Sequence, residues 1–359
     1  MPWWVRFSAA VLAVCVLAAG CTEAQNGSLR SGREPQTPSS DTADVLELRQ
    51  RAEQGNVDAQ VTLGGMYASG RSVPQNDVEA VRWFRLGADQ GYAIAQRALG
   101  LMYASGRGVP QNDVEAVRWY RLAAEQGFAD AQYNLGLMYY DGLGVPQNYP
   151  EASRWLRLAA EQGDADAQYN LGVMYYDGLG VPQNYPEAAR WYRLAAEQGD
   201  AGAQNNLGVM YASGRGVPQN DVEAVRWYRL AAEQGEALAQ AALGGAYQSG
   251  RGVQQDYAET ARWYGLAAEQ GFALAQVALG LMYALGEGVP QDYVEAYKWY
   301  NIAAAAGDVD AQMFRATAQQ VRATAQQGRD RIMQSMTPAQ IAEGQRRSAE
   351  WRPTNGSQQ

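Results

Sequence analysis

The dipeptide Ala-Gln recurs with its glutamine at positions 60, 96, 132, 168, 204, 240, 276 and 312, and every interval is 36 residues without insertion. A fixed period of this size marks a stacked-repeat architecture. Each unit is one supersecondary element that cannot bury its apolar face alone and must do so against its neighbours. Seven complete units occupy 58–309. The preceding segment, 44–57, is expected to form an N-terminal capping helix from about Val45 to Gln54. The segment after them, 310–359, is expected to hold C-terminal capping helices and a disordered tail.

Each unit reads as two helices. In the first unit Ala59, Leu63, Met66 and Tyr67 fall at i, i+4, i+7 and i+8, one apolar stripe at helical spacing. Gly64 lies beside the stripe, where a missing Cβ lets a neighbouring helix approach closely. A Gly-containing loop leads through Val73-Pro74 to the second helix, with Asn76 as N-cap and Glu79 at capping-box spacing. The pair recurs as Asn112/Glu115, Asn148/Glu151, Asn184/Glu187, Asn220/Glu223, Asp256/Glu259 and Asp292/Glu295. Ala80, Trp83, Phe84 and Ala88 line the buried side, and Gly91 ends the helix. Capping accounts for the recurrent glutamates and packing for the Trp series (Trp83, Trp119, Trp155, Trp191, Trp227, Trp263, Trp299), so neither is a catalytic or stacking array. After Gln312, a helix over Met313–Gln327 closes the last unit. Thr337 and Pro338 then start another helix that runs to about Trp351.

Composition narrows the function. The 359 residues carry a formal net charge of −9 with acids and bases interleaved, which argues against a nucleic-acid footprint. There is no His, and Cys15 and Cys21 are the only cysteines. The commonest general base, the commonest metal ligand and any thiol nucleophile in the repeats are therefore missing, and the chain is expected to be non-catalytic with no cofactor or metal. Residues 1–20 have the layout of a secretory signal: Arg6, an apolar run from Phe7 to Ala19, and small residues at its end. Residues 21–43 are rich in Ser, Thr, Gly, Pro and Gln and read as a flexible linker.

Two resemblances sharpen these expectations. Leu17-Ala18-Ala19-Gly20-Cys21 resembles a bacterial lipobox, which implies lipidation at Cys21 and a membrane anchor. Thr22 in place of the retention-associated Asp favours the outer membrane, with the folded part facing the periplasm. The repeat pattern Gln-x-x-Leu-Gly-x-x-Tyr (Gln60, Leu63, Gly64, Tyr67), continued by Gly70, Val73, Glu79, Ala80, Trp83, Ala88 and Gly91, resembles the Sel1-like repeats, a branch of the tetratricopeptide-like solenoids. That family implies an all-α fold, a right-handed α-solenoid of stacked helix-turn-helix repeats with first helices lining a concave groove. Departures are mild: Gln254 for the loop Pro, Thr260 for the second-helix Ala, and Ala246 for the Met.

On the groove mapping that the resemblance supplies, the middle units stand apart. Tyr133 and Tyr140 lie seven apart on one helix face, and Tyr169 and Tyr176 repeat them one unit later. Asn134, Asn170 and Asn206 form a row at solenoid spacing, with Asn205 beside the last. An Asn amide donates and accepts at once, so the row is similar to the asparagine ladders that grip an extended main chain. The expected binding site is therefore Tyr133, Asn134, Tyr140, Tyr169, Asn170, Tyr176, Asn205 and Asn206, and the partner a protein or extended peptide. Units three and four are near-copies ("AQYNLGLMYYDGLGVPQNYPEASRW" and "AQYNLGVMYYDGLGVPQNYPEAARW"), so duplication alone could have carried these residues along. The Asn row, however, continues past the copied pair to Asn206. A varying loop position (Arg71, Arg107, Leu143, Leu179, Arg215, Arg251, Glu287) offers solvated charge or, alternatively, a rim for anionic glycans or lipid headgroups.

The function expected is a protein-binding scaffold or adaptor lipoprotein of the bacterial cell envelope. The alternative is an envelope hydrolase acting on peptidoglycan or β-lactams, as Cys-rich members of the family suggest. Those members pair cysteines within each unit. This chain has none after Cys21 and no Ser-x-x-Lys motif.

Overall fold

A computed structural model describes residues 39–305 and 315–354, and every regular element among them is an α-helix. The proposed signal, Cys21 and most of the linker lie outside the described residues. The chain divides into two compact units with the boundary between Gln183 and Asn184.

The first unit holds α1 (Ser39–Glu53) and three complete helix pairs. These are α2 (Val57–Ser69) with α3 (Asp77–Asp89), α4 (Ala93–Ser105) with α5 (Asp113–Glu125), and α6 (Ala129–Asp141) with α7 (Tyr149–Glu161). It ends in α8 (Ala165–Asp177). The second unit begins with α9 (Tyr185–Glu197) and continues with three further pairs. These are α10 (Ala201–Ser213) with α11 (Asp221–Glu233), α12 (Ala237–Ser249) with α13 (Tyr257–Glu269), and α14 (Ala273–Leu285) with α15 (Tyr293–Ala305). It closes with α16 (Arg315–Met333) and α17 (Pro338–Glu350). Helix α1 starts at Ser39, ahead of the expected position 44, so the last residues read as linker are helical. Helix α16 runs beyond the expected Gln327 to Met333.

The period follows from how each element is satisfied. Leu63, Leu99, Leu135, Leu171, Leu207 and Leu243 are fully buried at the centre of the first helices. Beside them the glycine expected to permit close packing does so: a Cβ on Gly64 or Gly100 would meet the ring of Phe84 or Tyr120 at 2.7 Å. Helices of 13 residues are marginal in isolation, so the packing between them supplies most of their stability.

The capping box is only half formed in the repeats. The Asn76 side chain accepts from the Glu79 backbone N–H, as expected. The backbone N–H of Asn76, which the glutamate would otherwise cap, already donates to the Tyr67 carbonyl, and the same bond recurs from Asn112 to Tyr103 and Asn148 to Tyr139. The glutamate turns outward instead and pairs with the arginine one turn on, as in Glu79 with Arg82 and Glu115 with Arg118. Each of those arginines lies over the adjacent Trp ring, 4.9 Å away for Arg82 and Trp83. The reciprocal box does form at Thr337 and Gln340, where α17 opens.

Glutamine links consecutive repeats. The buried Gln96 donates through Nε2 to the Ala88 carbonyl of the preceding repeat and accepts from Gln126 at the end of its own. Gln60, Gln132, Gln204 and Gln240 repeat both bonds within their units. At the last repeat the residue in register with Gln126 is Ala306, and Oε1 of the fully buried Gln276 has no donor. A buried acceptor without a partner costs about 1–3 kcal/mol.

The C-terminal elements close the array's apolar end. Ala325 and Ile332 of α16 join Tyr297 and Tyr300 of α15 in one cluster. Trp351 meets Trp299 edge-on at 6.4 Å, and the Thr354 N–H donates to the Glu269 carbonyl.

Candidate functional site

Three first helices of the first unit, α4, α6 and α8, succeed one another at the repeat period. Arg97 of α4 reaches Asp130 of α6 at 3.3 Å. At the other helix ends, Tyr140 of α6 lies in the electrostatic field of Asp177 of α8. These interactions link neighbouring first helices.

The eight residues expected to bind a partner do not share one environment. In α6, Tyr133, Asn134 and Tyr140 are buried, whereas Tyr169, Asn170 and Tyr176 of α8 are half-buried. The Tyr140 ring stands edge-on to Tyr149, 5.2 Å between centroids, and burial pushes its hydroxyl up to about 12. The asparagines also part ways. Asn170 donates to the Asp166 carbonyl of its own helix at 2.8 Å. Asn205 and Asn206 belong to the second unit, where the buried Asn205 amide donates to the Asn206 side-chain oxygen at 3.4 Å. Asn134 is 6% exposed, and its Nδ2 has no hydrogen-bond partner. The expected uniform ladder is thus three different states, because each amide takes whatever partner lies nearest. Among them, Asn134 alone has a buried donor without a partner.

Sequence reasoning passed over the carboxylates on these helices. Asp130, Asp141, Asp166 and Asp177 sit on α6 and α8, and Asp164 caps α8 by accepting from Ala167 N–H. Burial raises Asp141, Asp164, Asp166 and Asp177 above the ordinary carboxylate range. The signal was available: at the last position of the first helix, Ser69, Ser105, Ser213 and Ser249 occupy four of the other five repeats, and Leu285 the fifth.

Two of the four loop arginines are held by an aspartate of the preceding repeat. Arg107 forks onto Asp77 of the preceding repeat, Nη2 to Oδ1 at 2.6 Å, and donates to the Ala68 carbonyl. Arg251 makes the same fork to Asp221. Arg215 lies 5.9 Å from the Tyr185 ring. At Arg107 and Arg251 the loop charge also clamps consecutive repeats, and Arg251 remains exposed, as the solvated-charge reading expects. The Trp side chains are buried, as expected.

Among the described residues no group of His, Cys, Asp and Glu could hold a metal ion. No described helix is long and apolar enough to cross a membrane.

Residues 57–92, 93–128, 129–164, 165–200, 201–236, 237–272 and 273–308 each match the Sel1 repeat. The chain belongs to the Sel1-repeat family. Two solved Sel1-type structures are similar over most of its length. A protective antigen of uropathogenic Escherichia coli strains, which displays an SLR fold, is 36% identical over 85% of this chain, with a TM-score of 0.75. The Sel1-repeat chain spans 64% of that antigen's length. A Sel1 repeat protein from Oxalobacter formigenes is 37% identical over 80% of this chain and 81% of its own, with a TM-score of 0.62. No curated protein matches. Membership makes the fold an all-α solenoid of stacked helix pairs. Sel1-repeat proteins are in general protein-interaction scaffolds without catalytic activity, which is the coarse function of this chain's family.

Proposed function

We propose that this Sel1-repeat protein is a scaffold lipoprotein of the bacterial cell envelope, anchored through Cys21, which receives an extended partner polypeptide in a concave groove, on the sides of α6 and α8 that line it. The observation that carries the binding reading is Asn134. A buried amide donor without an acceptor costs about 1–3 kcal/mol, and a passing main-chain carbonyl would remove that cost. The half-buried Tyr169 and Tyr176 of the next first helix supply rigid contact area at low entropic cost. Because Nδ2 is covered in the free protein, docking requires a neighbouring side chain to give way.

The double variant Asn134→Ala/Tyr169→Ala is expected to weaken binding of the cross-linked partner by at least about tenfold, with the melting temperature no lower than wild type by more than a few degrees. Unchanged affinity would remove this face from consideration. The anchor has its own test. Cells fed an alkyne-bearing fatty acid should label the wild-type chain and leave Cys21→Ala unlabelled, and labelling of Cys21→Ala would refute lipidation at that residue.

A further inference from the structure

We infer that the face formed by α4, α6 and α8 recognises a positively charged, extended polypeptide segment, one whose Arg or Lys side chains meet Asp141, Asp166 and Asp177 while its main chain takes the Asn134 amide. The inference rests on the binding reading above and adds the chemistry of the partner.

Three observations converge. The face carries five carboxylates, Asp130, Asp141, Asp164, Asp166 and Asp177, against one guanidinium, Arg97. That guanidinium is already committed to Asp130. No ion pair or side-chain hydrogen bond reaches the carboxylates of Asp141, which is half-buried, or of Asp166 and Asp177, which are exposed and open to a partner.

Asp141 and Asp177 also break a local rule. Each is the last residue of its helix, immediately before a left-handed glycine, Gly142 or Gly178. A carboxylate there faces the negative end of the helix dipole, the less favourable end for an acid. In four of the other five repeats the position is serine (the last has Leu285), and its hydroxyl bonds back into the helix: Ser69 to the Gly65 carbonyl, Ser105 to Leu101, Ser213 to Val209 and Ser249 to Gly245. An ionised Asp has no proton to donate, so it cannot reproduce that bond and is left with an unused charge. Local rules violated without an internal compensation collect at functional sites.

Asn134 supplies the independent sign that something docks among these acids. It is 6% exposed, its amide donor is unpartnered, and it lies one helical turn from Asp130 and two turns from Asp141 on the same side of α6. An uncompensated acid cluster calls for cations, and an unused amide donor calls for an acceptor. A basic peptide in extended form supplies both, its side chains the first and its carbonyls the second.

The test uses the full chain and three fluorescein-labelled peptides of one design, alternating Gly with Arg, with Gln or with Glu, followed by fluorescence anisotropy at low and physiological salt. The Arg peptide is expected to bind at least about tenfold more tightly than the Gln peptide, and to weaken as salt screens the charges. The Glu peptide is expected not to bind. Asp141→Asn/Asp166→Asn/Asp177→Asn should abolish the preference for Arg while melting no lower than wild type, since it removes unpaired like charges. Asn134→Ala should weaken the Arg and Gln peptides alike. Equal binding of the Arg and Gln peptides, with loss of both in Asn134→Ala, would overturn the charge inference and leave the binding reading standing. Binding of none of the three would overturn the inference. Cross-linking of the natural partner through this face would then show whether the binding reading survives. Arg-peptide binding unaffected by the triple Asp variant would place the cation site elsewhere and overturn the inference.

Discussion

Gly144→Ala is expected to cost the protein about 3 kcal/mol or more, seen as a melting midpoint lower by roughly 6 °C or more. Gly144 sits in the loop of the third repeat at φ +67, and a Cβ built on it would lie 2.2 Å from the carbonyl oxygen of Asp113 at the start of the preceding repeat's second helix. Both the left-handed backbone and the interface oppose any side chain, and the opposing atom is backbone that cannot swing away. The same position repeats at Gly108, Gly180, Gly216, Gly252 and Gly288, each against the backbone at the start of a second helix. The first repeat supplies the control, because Ser72 occupies that register at φ 60. Ser72→Gly relieves left-handed strain but gains unfolded-state freedom, so its stability should stay within about 0.5 kcal/mol of wild type. If Gly144→Ala proved as mild as Ser72→Gly, the loop would not be the tight contact between repeats described above.

Gln132→Leu is the second large effect, with an expected loss of about 2–4 kcal/mol in urea unfolding. The change removes the acceptor of Gln162 and the side-chain donor to the Ala124 carbonyl, which is left with backbone donors such as the Gly127 N–H, and it puts a branched apolar side chain where both bonds were. Gln162→Ala should be milder, about 1 kcal/mol, because it strands only Oε1 of Gln132. Gln276 already lives in that state, so the fold tolerates it. A Gln132→Leu variant as stable as wild type would show that the glutamines merely fill space.

The fold was legible because one unit is written seven times. The Leu63 series, the Gly64 series and the Trp83 series each recur at 36 residues, and periodicity of that kind reports which side chains must be buried. What the sequence hid were choices between partners. Glu79 stands at capping-box spacing, and nothing local reveals that the Asn76 N–H is taken by Tyr67, nine residues back. Arg107 reads as loop charge until the preceding repeat brings Asp77 beside it. The candidate face shows the same limit. Tyr133 and Tyr169 stand in near-identical sequences yet differ in burial, since their neighbours across the repeat interface differ. The acids of α6 and α8 were visible as letters, but their lack of cations is a property of three helices together.

The central claim, that the face of α6 and α8 is where a partner docks, is tested most directly by a photo-reactive amino acid placed in the cell at Tyr176 and, separately, at Arg82 on a second helix. The account predicts that Tyr176 cross-links one partner through a segment containing Arg or Lys, and that Arg82 gives no such product. Cross-linking of the same segment from Arg82 and none from Tyr176 would contradict it.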